Sequence, residues 1–228
     1  MKKLIVNADD LGYREGINKG IISALQTGIV TSASMFVERD GSEEAVRLVR
    51  ENPTLGIGPH IDLDKFFDVN HHAGIIENGK KLDIPAIKGE IRRQLDKFYS
   101  FGFIADHLDS HHHAHLHPEV FGITCELCRE FKIPVIRLAK ESILGSGSHA
   151  EYKRIITENG LRTIDHFIEG WYWGNVDEQF EIAELMTHPG YGELWREAEL
   201  AHCCQLQLKQ YLIDNQIDLL RFSDAISS

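Results

Sequence analysis

Five histidines fall within seven positions in the run Asp109-Ser110-His111-His112-His113-Ala114-His115-Leu116-His117-Pro118. Imidazoles at this density point to a metal ion. On an extended segment His111, His113, His115 and His117 share one face and His112 takes the other. The run follows an apolar-polar stretch, residues 104–108, so it sits inside folded chain and not in a loose terminal His tract. Three other places offer partners. Asp9 and Asp10 come directly after the apolar run Leu4-Ile5-Val6, His60 lies in Gly58-Pro59-His60-Ile61-Asp62-Leu63, and His188 lies in Met186-Thr187-His188-Pro189-Gly190. Taken singly, the acids could be a solvated turn and His60 a satisfied core histidine. Taken together, imidazole and carboxylate form a ligand set that suits zinc, manganese, iron, cobalt or nickel, and magnesium less readily. A cation with three protein ligands keeps positions for water and substrate, which is the pattern of a catalytic site. Its water, with a pKa near ~7 on zinc, attacks as hydroxide at neutral pH. Adjacent acids at a strand tip can divide the work, one as ligand and one as base.

Short β-branched or apolar runs alternate with amphipathic segments along the whole chain. Strands are predicted at 3–7, 31–37, 55–61, 104–110, 134–138, 162–167, 182–187 and 217–222. Helices are predicted at 15–27, where Ile17, Ile21, Ile22 and Leu25 keep helical spacing before Gly28, and from Ser42 through Val46, Leu48 and Val49. Three more are predicted at 87–101, 118–132 and 194–215. Eight strands, each followed by a crossover, imply a single-domain α/β protein over residues 1–228: a distorted, TIM-barrel-like (β/α) barrel in preference to a doubly wound sheet. In such a barrel the loops after the strands converge, which gathers the candidate residues in one place.

The chain has 228 residues, 43% of them hydrophobic, and a net charge of -11. Nucleic-acid binding needs clustered Lys and Arg, so that balance excludes a phosphate backbone as partner. A neutral or cationic small molecule fits better. No apolar run approaches the ~18 residues of a membrane span, and the one at the N-terminus is too short for a signal peptide, so a cytoplasmic protein is expected. Cys125 and Cys128 form a CxxC inside a predicted helix instead of opening one. They and Cys203 and Cys204 are therefore expected to be reduced thiols without redox or zinc roles. A homodimer is left open.

The chain resembles the YdjC-like carbohydrate deacetylases, a family that includes chitooligosaccharide (diacetylchitobiose) deacetylases. The likeness covers nearly the whole length. It is carried in order by Leu4-Ile5-Val6-Asn7-Ala8-Asp9-Asp10-Leu11-Gly12, Gly28-Ile29-Val30-Thr31-Ser32, Gly56-Ile57-Gly58-Pro59-His60, His107-Leu108-Asp109-Ser110-His111-His112-His113-Ala114-His115 and His188-Pro189-Gly190. The resemblance implies a polysaccharide-deacetylase-like barrel that removes N-acetyl groups from an amino sugar or short chitooligosaccharide, releasing acetate. It implies one divalent ion, magnesium or zinc foremost and manganese, cobalt, nickel or iron otherwise, on Asp10, His60 and His111. It makes Asp9 the general base, His188 the general acid or transition-state stabiliser, and Arg137 a residue orienting Asp9.

The chemistry supports these roles. An amine leaves poorly unless protonated, and an imidazole with an ordinary pKa of about 6.5 can donate near neutrality. Asp109 and His113 are candidates to stand behind the ligand histidines and fix their tautomers. Trp171 and Trp173 offer aromatic faces for pyranose rings. The chain departs from the family after His60, where Ile61-Asp62-Leu63-Asp64-Lys65-Phe66-Phe67 replaces a Leu-Thr-rich stretch and a long loop. Two rivals are a metal-dependent phosphoesterase, which wants more basic residues at the site, and a non-catalytic sugar- or metal-binding protein, which needs neither base nor acid.

Overall fold

A computed structural model describes residues 2–70, 75–77, 81–141, 144, 148–164, 166–169 and 179–226. The elements in chain order are β1 (Lys2–Leu11), α1 (Glu15–Thr27), β2 (Ser32–Met35), α2 (Ser42–Glu51), β3 (Gly56–Ile61), β4 (Asp68–Asn70), β5 (Ile75–Glu77), α3 (Ile84–Ser100), β6 (Asp109–Ser110), α4 (Pro118–Phe131), α5 (His149–Glu158), β7 (His166–Glu169), β8 (Ile182–Thr187), α6 (Leu194–Cys203), α7 (Leu206–Asp214), β9 (Ile217–Leu220) and α8 (Phe222–Ile226). Contacts divide the chain into two compact units, Met1–Gly58 with Ile164–Ser228, and Pro59–Thr163.

The first unit is built on β1. Leu4, Ile5, Val6, Ala8 and Leu11 are all fully buried, the continuous apolar run of a strand covered on both faces. β1 pairs in parallel with β8 from Lys3↔Ile182 to Ala8↔Thr187 and with β9 from Lys2↔Ile217 to Ile5↔Leu220. It pairs with β2 at Asn7↔Ser32 and Ala8↔Ala33, and there its register breaks between Ala8 and Leu11. Asp9 and Asp10 are the residues inside that break. Asp10 has φ +72°, a left-handed conformation that aspartate tolerates better than most residues. A bulge re-aims side chains at a strand end, so the irregularity sets the direction of both carboxylates.

Helix α1 keeps the predicted bounds and buries Ile17, Ile21 and Ile22. Its Gly20 is a contact point: a Cβ there would lie 2.4 Å from the Cα of Gly190. We predict that Gly20→Ala destabilises the protein by about 1–3 kcal/mol through overpacking and displaces the His188–Gly190 turn. Thermal denaturation of the variant checks it, and an unchanged melting temperature would contradict it.

In the second unit β3 pairs with β6 in parallel at His60↔Asp109 and Ile61↔Ser110. Parallel bridges Leu108↔Ile136 and Val135↔Arg162 carry the same direction onward. Alternating strands and helices with parallel pairing are the α/β wiring expected from the sequence; the antiparallel β4–β5 hairpin is an added feature.

Several boundaries differ from expectation. The strand predicted at 104–110 begins only at Leu108, and Ile104 is 86% exposed, so its apolar side chain did not mark buried strand. The strand predicted at 134–138 survives as two single bridges. The helix predicted at 194–215 breaks at Cys204-Gln205 into α6 and α7. Helix α5, not predicted, starts behind Ser148, whose side chain accepts from the Glu151 N–H at 3.3 Å.

Candidate active site

In the first unit the carboxyl ends of the parallel neighbours β1 and β8 carry Asp9, Asp10 and His188, and both acids are almost fully buried. Asn7 Nδ2 donates to Asp9 Oδ1 at 2.8 Å and to Ser34 Oγ at 2.8 Å. Asp10 Oδ2 accepts from Arg196 Nη2 at 2.5 Å, and Arg196 Nε donates to Glu193 Oε2 at 2.7 Å. Glu199 Oε2 accepts from the His188 backbone N–H and from Thr187 Oγ1 at 2.8 Å, with His188 Nδ1 at 3.7 Å. Burial alone disfavours the His188 imidazolium. The nearby Glu199 carboxylate, joined by the charges of Asp10 and Asp9, outweighs it and raises the His188 pKa above its ordinary value. Glu199 is held correspondingly low: burial opposes its charge, but His188 and Thr187 overcome that.

Sequence reasoning did not find Arg196 or Glu199, although a signal was present. Arg196, Glu199, Leu200 and Cys203 form the buried stripe of α6. Two charged residues on a stripe that should be apolar require partners inside the fold.

The second unit holds the other candidate residues, His60 and the histidine run. His60 Nδ1 lies 2.7 Å from Asp109 Oδ1, and Arg137 Nη1 lies 2.8 Å from Asp109 Oδ2, all three groups being essentially inaccessible. A carboxylate can only accept, so the imidazole proton sits on Nδ1 and the lone pair on Nε2, the form a metal ligand needs. Burial works to raise the Asp109 pKa, but the Arg137 charge and the His60 contact hold it well below the usual carboxylate range.

The run after Asp109 is not extended. His111–Leu116 forms a 3₁₀ turn, and His112 and His113 have φ of +51° and +54°. This corrects the alternating-face expectation and scatters the five imidazoles. The cause is Ser110, whose Oγ accepts from the His115 N–H at 2.9 Å and closes the turn. His115 Nε2 lies 3.1 Å from the Arg137 carbonyl oxygen, which can only accept. The proton is therefore on Nε2, and Nδ1 accepts from the Ser110 hydroxyl at 2.6 Å. Burial brings the His115 pKa down to about 4, so it is a neutral structural residue. His117 caps α4, accepting from the Glu119 N–H at 3.3 Å. His113 is buried, which pushes its pKa well below the ordinary value, and the Arg137 charge adds to the effect.

His111 and His112 remain toward the accessible side. The His111 ring meets His60 edge-on, centroids 5.6 Å apart, and the His112 ring at 3.8 Å. Asp64 faces both, Oδ1 2.9 Å from His112 Nδ1 and Oδ2 3.9 Å from His111 Nε2. Asp64, His111 and His112 offer ligand atoms within 4.8 Å of one another.

Arg137 is paired with Asp109. Trp171 and Trp173 lie outside the described residues. The cysteines are free thiols as expected; Cys125 and Cys128 are buried in α4, and burial pushes Cys125 up to about 12, which suppresses the reactive thiolate. Among the described residues no helix is long and apolar enough to cross a membrane.

The chain matches the family described as YdjC-like protein over residues 3–214 and belongs to it. It is 34% identical to a carbohydrate deacetylase of Brevibacillus brevis, over 97% of this chain and 99% of the relative. A carbohydrate deacetylase of Geobacillus stearothermophilus is 33% identical over 88% and 84%. Among solved structures, a proposed cellobiose-phosphate cleavage protein of Enterococcus faecalis superposes with a TM-score of 0.80 at 25% identity, covering 98% of each chain. A family 4 carbohydrate esterase of Streptomyces lividans in complex with acetate superposes at 0.52 with 13% identity, over 96% and 91%. These likenesses give the fold as a distorted (β/α) barrel.

Proposed function

We infer that the chain is a hydrolase, a carbohydrate deacetylase that removes the N-acetyl group of an amino sugar or short chitooligosaccharide and releases acetate, acting as one catalytic domain over residues 1–228. The observation that carries this reading is that Asp9, in the β1 bulge, and His188, after β8, each follow directly on the last register pair of these adjacent parallel strands, Ala8↔Thr187. Family membership and relatives named carbohydrate deacetylases point the same way.

We assign one divalent cation to Asp10, His60 and His111. The donor chemistry fits, because His60 carries its proton on the nitrogen facing Asp109 and keeps the other lone pair for coordination. When bound, such a cation polarises a carbonyl and acidifies water. Asp9 takes the proton of the attacking water, and Asn7 keeps its carboxylate in place. His188 gives its proton to the departing amine nitrogen, so that water and amide become acetate and free amine. Glu199 keeps His188 protonated toward neutral pH. Arg137 is assigned to orienting Asp9, Asp109 and His113 to supporting the ligand histidines, and Trp171 and Trp173 to the sugar.

The test is acetate release from a panel of N-acetylated sugars by protein supplied with zinc or magnesium, alongside a generic phosphatase substrate. The Enterococcus faecalis relative makes the second arm worthwhile, and phosphate release without acetate release would overturn the deacetylase reading. Because the His188 pKa is raised, the protonated acid persists above its ordinary pKa and activity declines only as pH rises past the raised value. Glu199→Gln removes the main cause, so the alkaline limb of kcat/KM is expected to move to lower pH. An unmoved limb would exclude His188 as the titrating acid.

A further inference from the structure

We propose that Trp195 is the platform on which the sugar ring of the substrate stacks, an inference that rests on the deacetylase reading above. Trp195 is the second residue of α6 and is 50% exposed, with Leu194 at 86% and Tyr191 at 45% beside it in sequence. Single exposed apolar residues are ordinary, but three large ones within five positions of sequence point to a function.

The indole is also fixed. The Arg196 guanidinium lies over one face, 4.2 Å from the ring centroid, and is itself tied to Asp10 and Glu193. The His188 imidazole meets the ring at 62°, centroids 5.7 Å apart. With one face on Arg196 and His188 alongside, Trp195 is held at its site while half-exposed. A rigid, half-exposed aromatic binds a flat partner at small entropic cost.

The chemistry then places the sugar. His188 protonates the amine nitrogen, and that nitrogen is bonded directly to the pyranose ring. The pyranose therefore lies within one bond of the atom His188 reaches, which is where the indole stands. Pyranoses present patches of C–H bonds on their faces, and these pack on an aromatic surface. Trp195 thus selects a sugar-borne amide over a free acetamide, and does so through binding.

The test compares wild type with Trp195→Ala and Trp195→Phe. For acetate release from N-acetylglucosamine oligomers, Trp195→Ala is expected to raise KM about tenfold, with kcat little changed and Trp195→Phe near wild type. A circular-dichroism spectrum and a melting temperature near wild type report that the variant is folded. Saturation transfer from protein to the deacetylated glucosamine oligomer, read by NMR, is expected to weaken in Trp195→Ala without any turnover. If wild type releases acetate and Trp195→Ala keeps its KM and its saturation transfer, the platform is wrong while the deacetylase reading stands. If wild type releases acetate from no acetylated sugar, the deacetylase reading fails first. A change of oligomeric state in Trp195→Ala with KM unchanged would mark the patch as a protein contact and overturn the proposal.

Discussion

Asp9→Asn is expected to lower kcat about 10²–10⁴-fold while metal content and melting temperature stay near wild type. The substitution removes the group that takes the proton from water, together with the smallest of the charges that raise the His188 pKa. Asn7 Nδ2 donates to Asp9 Oδ1, and the carbonyl oxygen of asparagine can accept the same hydrogen bond. The bulge between Ala8 and Leu11 belongs to the backbone and persists. Asp10→Asn is the informative contrast, because it weakens the assigned cation ligand and breaks the buried pair with Arg196. Acetate-release kinetics, metal analysis and thermal denaturation on both variants separate the roles. A fall below about tenfold in Asp9→Asn, with metal retained, would show that Asp9 is not the base.

Much of this arrangement was legible because it follows from local rules. The uninterrupted apolar run Leu4-Ile5-Val6 gave a strand buried on both faces, and the periodic isoleucines of α1 gave a helix with the observed bounds. The strand-end positions of His60 and His188 followed from the same alternation of elements. What escaped was set by contacts between segments distant in sequence. Aspartate and histidine tolerate a positive φ but do not require it, so Asp10, His112 and His113 did not announce theirs; the turn depends on Ser110 reaching His115. Read as extended, the histidine run exaggerated its share of the chemistry, since His115 and His117 serve the fold. The strand expected at 134–138 holds only single bridges, and the one expected at 162–167 forms further on as β7, His166–Glu169, with a single bridge at Arg162 before it. Helix α5 was missed although Ser148 and Glu151 stand at capping-box spacing.

The largest stability effect is expected at Asp109. Its carboxylate lies 2.7 Å from His60 Nδ1 and 2.8 Å from Arg137 Nη1, with no solvent access to it. Asp109→Asn takes the Asp109 charge away from the buried Arg137 guanidinium, a change that costs about 3–5 kcal/mol. The sign against pH is fixed by the direction of the shift. A carboxylate held below its ordinary pKa contributes stability that is complete above about pH 4 and is lost only as pH falls through the lowered value. The deficit of the variant should therefore be full at neutral pH and shrink in strong acid. The same substitution removes the acceptor that keeps the His60 proton on Nδ1, so cation affinity is expected to drop about 10–100-fold. Denaturant unfolding at pH 7, with and without zinc, measures both terms, since ligand binding adds stability in proportion to affinity. Asp109→Asn combined with Arg137→Met removes both buried charges and should recover part of the stability without recovering the affinity. Equal recovery of both would mean that Asp109 acts on the cation only through the fold, and the carboxylate–histidine assignment for His60 would then be wrong.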